Sequence, residues 1–210
     1  MTIIDAAYAA LARHWADQAD AAHDLGHIRR VWANARQLLA DAQGADAEAL
    51  HLAVIFHDVI NLPKDSPDRA MASQRSADFA AEWLRAQAWA EDRIALVTHA
   101  IEAHSFSAKI APQTVEARIL QDADRLEALG AIGLARMFSV AGAMGGALFD
   151  DADPMALNRA LNDRAYALDH LEVKLFHLAG QMQTELGRAI AAERSEWMAS
   201  FRTRLLHEIG

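Results

Sequence analysis

Cysteine occurs nowhere in the 210 residues. Its absence excludes disulfides, thiolate zinc sites, iron–sulfur clusters and a cysteine nucleophile, so any metal must be held by imidazole and carboxylate groups. Proline is limited to four residues, and no run of alternating β-branched residues marks a strand. Alanine, leucine, arginine and glutamate dominate instead, which predicts an all-α chain. Lysine is confined to Lys64, Lys109 and Lys174, and the formal net charge is −9. A broad nucleic-acid surface, built by neutralising phosphates with Lys and Arg, is therefore not expected. A small phosphorylated substrate, held by a metal and two or three arginines, is compatible with that balance. No apolar run approaches the roughly 20 residues of a membrane span. The start, Met1-Thr2-Ile3-Ile4-Asp5-Ala6, has no basic leader segment, so no membrane association is expected and a cytoplasmic location is the default. Two nucleophile and phosphate signatures are missing as well, the Gly-x-Ser-x-Gly elbow and the Gly-x4-Gly-Lys-Ser/Thr loop.

What is present is enough apolar residue, 53% of the chain, for one domain with a real core. The expected architecture is a single domain over 1–210, with a core of about 22–136 and a C-terminal helical extension of about 154–210. A first helix is expected from about Ile3 to Ala22, with Ala7, Leu11 and Trp15 on one face. Asp24 is placed to cap a second helix whose apolar stripe is Ile28, Val31, Trp32, Leu38 and Leu39, ending before Gly44. Asp46 reads as the N-cap of a third that runs through Leu50 and Val54 to His57-Asp58. Residues 61–67 read as a loop, since each proline disfavours helix at the residue before it. Further helices are expected at 68–87 and 90–104, from near 114, from near 128, and over 184–208. The glycine-rich, acidic stretch 142–154 reads as an interhelical connection, with a mobile lid as the alternative. Trp15, Trp32, Trp83, Trp89 and Trp197 are expected as core or interface anchors.

The chemistry gathers in three segments. His57-Asp58 closes the apolar run Leu52-Ala53-Val54-Ile55-Phe56, and an ionisable pair at the edge of a buried segment is costly unless something uses it. Upstream stand His23 and His27, four apart and so on one helix face. Downstream stand Asp122 and Asp124. Nitrogen and oxygen donors on three otherwise apolar segments point to a divalent metal ion, with Mn, Mg, Fe, Co, Ni and Zn all compatible. Such an ion lowers the pKa of a bound water and polarises a phosphoryl oxygen, so no covalent nucleophile is needed. Phosphoryl oxygens also need fixed cations. Lys64, six residues past Asp58, is the first candidate, and Arg29, Arg30 and Arg125 adjoin the proposed ligands. His99 and His104 are about 140° apart on a helix and do not face one ion; His104, beside the expected helix end, is the better site candidate. His170 and Lys174, four apart, could complete the pocket. His14, His51 and His207 read as surface or packing residues.

The order His27, then His57-Asp58, then Asp124 resembles the HD-domain metal-dependent phosphohydrolases. Ala22-His23-Asp24 with His27-Ile28-Arg29-Arg30-Val31, Ala103-His104-Ser105-Phe106-Ser107 and the stretch from Asp122 to Gly133 are similar to small stand-alone bacterial members, among them nucleotide pyrophosphohydrolases. The resemblance implies an HD-type helical bundle with its metal site between helices, and His27, His57, Asp58 and Asp124 as ligands. Asp122 competes for the last place, being two residues away and equally acidic. It further implies hydrolysis of a phosphate ester or phosphoanhydride of a nucleotide-like small molecule by metal-activated water. Where some members carry an acidic residue after the doublet, this chain has Val59-Ile60-Asn61, leaving Asp58, His23 and His104 as candidates for acid–base work. Lys64, Arg30, Arg125 and Lys174 are the expected substrate contacts. The alternatives are a phosphodiesterase acting on a cyclic or linear dinucleotide, a non-catalytic nucleotide-binding sensor, and a helical scaffold with a metal-free buried network.

Overall fold

A helix that is apolar all round has to be surrounded, and α3 (Ala47–Phe56) meets that condition. In the computed structural model, which describes residues 1–16, 25–62, 68–105 and 107–210, seven of its ten residues are buried, with Leu50, Leu52, Val54, Ile55 and Phe56 fully so. Four helices pack on it: α1 (Ile3–Trp15), α2 (Leu25–Leu39), α4 (Ala72–Ala86) and α5 (Glu91–His104). Next in order come α6 (Val115–Glu127), α7 (Gly130–Ala143), the short α8 (Asp169–Val173) and α9 (Glu185–Ile209). Among the described residues there is no strand, only an isolated bridge between Ala147 and Tyr166. The all-α expectation is met. Among the described residues no single helix is long and apolar enough to cross a membrane.

The chain divides into two compact units, Met1–Asp124 and Arg125–Gly210. In the first, Asp46 caps α3 as expected, accepting from the N–H groups of Glu48 and Ala49. It does more than cap. Its two oxygens take a forked pair of hydrogen bonds from Arg93 of α5 at 2.7 and 2.9 Å, and its own N–H donates to Glu116 of α6 at 2.8 Å. One residue thus joins the start of α3 to α5 and α6. Helix α1 is capped by Thr2 and Asp5, which accept from each other's backbone N–H. The described part of α1 ends at Trp15, and the rest of its expected length to Ala22, like the Asp24 cap, lies outside the described residues.

In the second unit α7 packs on α9. Gly130 opens α7 at φ +73°, a left-handed conformation that favours glycine. Gly133 is required by space: a Cβ there would lie 2.2 Å from the carbonyl oxygen of Ala128. Residues 144–168 form no helix, so the expected C-terminal helical extension of about 154–210 begins its first helix only at Asp169. Asp150 accepts from Ala152 and Asp153 N–H, Asp153 from Leu157 and Asn158, and Asn162 from Arg164 and Ala165. Side chains that satisfy nearby backbone in this way compete with helix formation. Arg159 then locks the segment by a double hydrogen bond to the buried Asp169. The 142–154 stretch is accordingly a hydrogen-bonded connection.

Two outcomes follow for stability. Gly133→Ala should destabilise the protein by about 1–3 kcal/mol, as overpacking does, read as a lowered melting temperature. The hydrogen bonds from Arg93 hold the Asp46 carboxyl below its ordinary value of 3.8. A carboxyl lowered on folding contributes stability that is full above its unfolded value and lost as pH falls through the folded one. Asp46→Asn should therefore cost stability at neutral pH and show a smaller further loss than wild type below about pH 4, measured by urea unfolding across pH.

Candidate metal centre

α3 stops where its buried run meets water. His57, the C-cap, is still in helical conformation and fully buried, while the next side chain, Asp58, is 22% exposed. The His57 ring donates from Nδ1 to the carbonyl of Val54 at 2.8 Å. A carbonyl can only accept, so Nδ1 carries the hydrogen and Nε2 faces the cavity. Burial holds this imidazole down to about 4, against the opposing pull of Asp58 and Asp124, so it is neutral at pH 7 with a lone pair on Nε2. His104, the last residue of α5, repeats the device, its Nδ1 bonding the carbonyl of Ile101 at 2.5 Å. A ring nitrogen fixed on a backbone carbonyl is the usual support of a metal-binding imidazole.

The donors converge from four elements. His27 Nε2 of α2 lies 3.3 Å from His57 Nε2, 3.6 Å from Asp124 Oδ1 of α6 and 3.9 Å from Asp58 Oδ2. His57 Nε2 lies 3.4 Å from Asp58 Oδ2 and 3.9 Å from Asp124 Oδ1. His104 Nε2 stands 3.4 Å from the other Asp58 oxygen, and its ring meets His57 edge-on. Two overlapping triads result, His27/His57/Asp124 and His57/Asp58/His104. Burial would raise the Asp124 carboxyl, but His57, His27 and His104 outweigh it and hold it below the usual carboxylate range. Burial would lower His104, but its hydrogen bond to Asp58 and the charges of Asp58 and Asp124 raise it above an ordinary imidazole. Two ring nitrogens 3.3 Å apart need a proton or a cation between them. Donors about 2.0–2.2 Å from a divalent ion stand roughly 3–3.4 Å from one another, close to the spacing here, and a mixed set of imidazole and carboxylate donors suits the ions the sequence allows. The residues fit a divalent metal.

Other helices hold this constellation in place. Trp15 Nε1 donates to the carbonyl of Val59, and the buried Ser76 hydroxyl of α4 accepts from Ile60 N–H, so the chain just past the doublet is pinned on both sides. Asn34 of α2 donates to the carbonyl of Ala123, and Gln121 of α6 to that of Ala103. These four residues were not foreseen as parts of a site. A signal existed for Asn34, which sits on the stripe of His27, Val31 and Leu38 and is a polar residue on a buried face.

Of the expected site residues, His27, His57, Asp58, Asp124 and His104 come together. Asp122 is fully buried, and two residues on a helix point about 200° apart; among the described residues it belongs to neither triad. Arg30 is half-exposed on α2, one turn past His27. Arg29 is exposed. Arg125, in the second unit, donates to the carbonyl of Gln181 at 2.6 Å. In the same unit Lys174 is exposed after α8, and His170 pairs with Asp163 at 2.7 Å. His23 and Lys64 lie outside the described residues. His99 accepts from Gln113 N–H, and His51 stacks on Trp32 with ring centroids 3.7 Å apart, both structural roles.

The HD domain family model matches residues 24–129, a span that contains all five clustered residues. The sequence is 32% identical over 191 residues to YpgQ of Bacillus subtilis (strain 168), covering 89% of this chain and 84% of that protein. The backbone is similar to an HD-superfamily hydrolase from Bacillus thuringiensis, with a TM-score of 0.76, 28% identity and coverage of 98% and 95% of the two chains. It is also similar to Bacillus subtilis YpgQ in complex with ADP, with a TM-score of 0.70, 27% identity and coverage of 98% and 94%. The helix phase makes a direct test available: Asp124→Asn should weaken Mn²⁺ binding by about 10–100-fold or more, while Asp122→Asn leaves it within about threefold, as titration calorimetry would read.

Proposed function

The chain belongs to the HD-domain family, and from that premise we propose that it is a metal-dependent phosphohydrolase acting on a nucleotide or a similar small phosphorylated molecule. The observation that carries the reading is the donor set of His27, His57, Asp58 and Asp124, with neighbouring donor atoms 3.3–3.9 Å apart and both imidazoles buried. When bound there, a divalent ion supplies a Lewis acid for a phosphoryl oxygen and makes water a better nucleophile at neutral pH. The chain's own residues divide the remaining work. His27 and His57 present nitrogen donors from buried rings and so need little reorganisation. Asp58 faces two ways, one oxygen toward His57 and the other toward His104. His104, raised by that contact, holds a proton at Nε2 next to the site, which suits protonation of the leaving oxygen. Arg30, one turn past His27, and Lys64, six residues past Asp58, supply positive charge for phosphate oxygens.

The nucleotide part of the reading is supported by the ADP complex of YpgQ, and the net charge of −9 favours a free nucleotide over a polymer. A nucleoside triphosphate cleaved to monophosphate and pyrophosphate is the specific reaction proposed. Elemental analysis together with release of phosphate and pyrophosphate from nucleoside mono-, di- and triphosphates, with Mn²⁺ or Mg²⁺ added, tests it. Wild type should hold metal and turn over at least one of these. His57→Ala/Asp58→Ala should hold none and lose at least about 10³-fold in kcat. Metal and saturable nucleotide binding without release of either product would make the protein a sensor instead.

A further inference from the structure

The amide of Gln121 has no place among the donors, yet it lies one turn ahead of Asp124 on α6, and residues three apart share a helix face. Gln121 is 3% exposed, and its Nε2 donates to the carbonyl of Ala103 over 2.7 Å. That carbonyl belongs to the final turn of α5, where C=O groups lack the following N–H that would serve them inside a helix. The cap residue Ser105 leaves in extended conformation, φ −71° and ψ 126°, so no left-handed closing turn supplies the missing donor. His104 is the next residue and bonds its own ring to Ile101, in the same turn. The aim of the His104 imidazole therefore depends on a helix end that Gln121 closes.

The other half of the amide sharpens the point. Among the described residues Gln121 Oε1 is buried without a hydrogen-bond partner, an arrangement that costs stability. An apolar side chain of the same length would avoid that cost, so the gain from a glutamine here lies in its donor. We propose that Gln121 is a positioning residue: its amide ties the end of α5 to α6 and so sets the distance of His104 from Asp58 and Asp124. The proposal rests on the metal-centre reading above.

Gln121→Met keeps length and volume and removes the donor. Leu120→Val, one residue away and fully buried, trims the core and leaves every hydrogen bond in place. Metal-free Gln121→Met should melt within about 5 °C of wild type. Its affinity for Mn²⁺, read from the free-ion electron paramagnetic resonance signal, should weaken about tenfold or more, and kcat on the hydrolysed nucleotide should fall similarly with KM within about twofold. Leu120→Val should keep the wild-type Mn²⁺ affinity. Wild-type affinity and kcat in Gln121→Met, or an equal loss in Leu120→Val, overturns the proposal. Should Gln121→Met fail to fold, Gln121→Leu takes its place with the same readouts. If wild type takes up no Mn²⁺, the metal-centre reading fails and Gln121 is judged on metal-free protein alone. Ring ¹H–¹⁵N resonances of His104 displaced in Gln121→Met but not in Leu120→Val then support positioning, and unchanged resonances overturn it.

Discussion

Two imidazole nitrogens 3.3 Å apart at the rim of an apolar helix cluster set the terms for the first unit. Neither ring is solvated: His27 is 1% exposed and His57 fully buried. Their polar edges must find partners inside the protein, and they find them in one backbone carbonyl, two carboxylates and each other. The apolar character of α3 creates this demand. A helix surrounded on all sides carries whatever ends it into the interior, and His57-Asp58 ends α3.

The supports are notable for being mostly neutral. Val54 and Ile101 offer carbonyls to ring nitrogens, Trp15 and Ser76 bind the two residues after the doublet, and Asn34 and Gln121 bridge α6 to α2 and α5. Hydrogen bonds of this type fix orientation without adding charge, so the local field remains that of Asp58 and Asp124 set against three imidazoles. The field divides the histidines into two roles. Burial dominates at His57 and keeps it neutral, a ready nitrogen donor. Burial is the largest influence at His104 too, but there the hydrogen bond and charge of Asp58, with Asp124 and the Ile101 carbonyl, together outweigh it and favour the protonated form. Residues of one type, both buried and each 3.4 Å from an Asp58 oxygen, thus differ in character through the balance of burial against neighbouring charge and hydrogen bonding.

In the second unit the same chemistry serves structure. Asp169 is almost wholly buried where Asp58 and Asp124 are partly exposed, but Arg159 meets it with a fork of two hydrogen bonds and Asn162 N–H adds a third, leaving it committed. Glu127 is likewise buried and paired with Arg136. Arg194 closes the carbonyl of Leu126. A carboxylate whose partners are all permanent cations and amides is a fastening, whereas one whose neighbours are imidazoles retains affinity for a cation.

Much of this was legible in the sequence. Helix periods and the scarcity of proline and β-branched runs announced an all-α chain and Asp46 announced the start of α3, since these features depend on local spacing and residue type; the order His27, His57-Asp58, Asp124 pointed to candidate ligands through its resemblance to the HD-domain phosphohydrolases, with Asp122 left open for the last place. The irregular residues 155–168 were harder to read than the glycine-rich 142–154, because Asp153 and Asn162 accept from backbone N–H groups there and overrule helix. The choice between Asp122 and Asp124 could not be made from spacing. Helix geometry says that the two face apart, and only packing says which face meets α2 and α3. Nor could sequence place His104 beside Asp58, or show that Gln121 and Asn34 reach carbonyls on other helices, because those contacts join residues 18 to 89 positions apart. What the sequence by itself determined was which groups are present and which helices carry them, for these follow from neighbours along the chain. The tertiary structure alone decided which groups meet and which imidazole stays neutral, for burial and distance are properties of the packed helices.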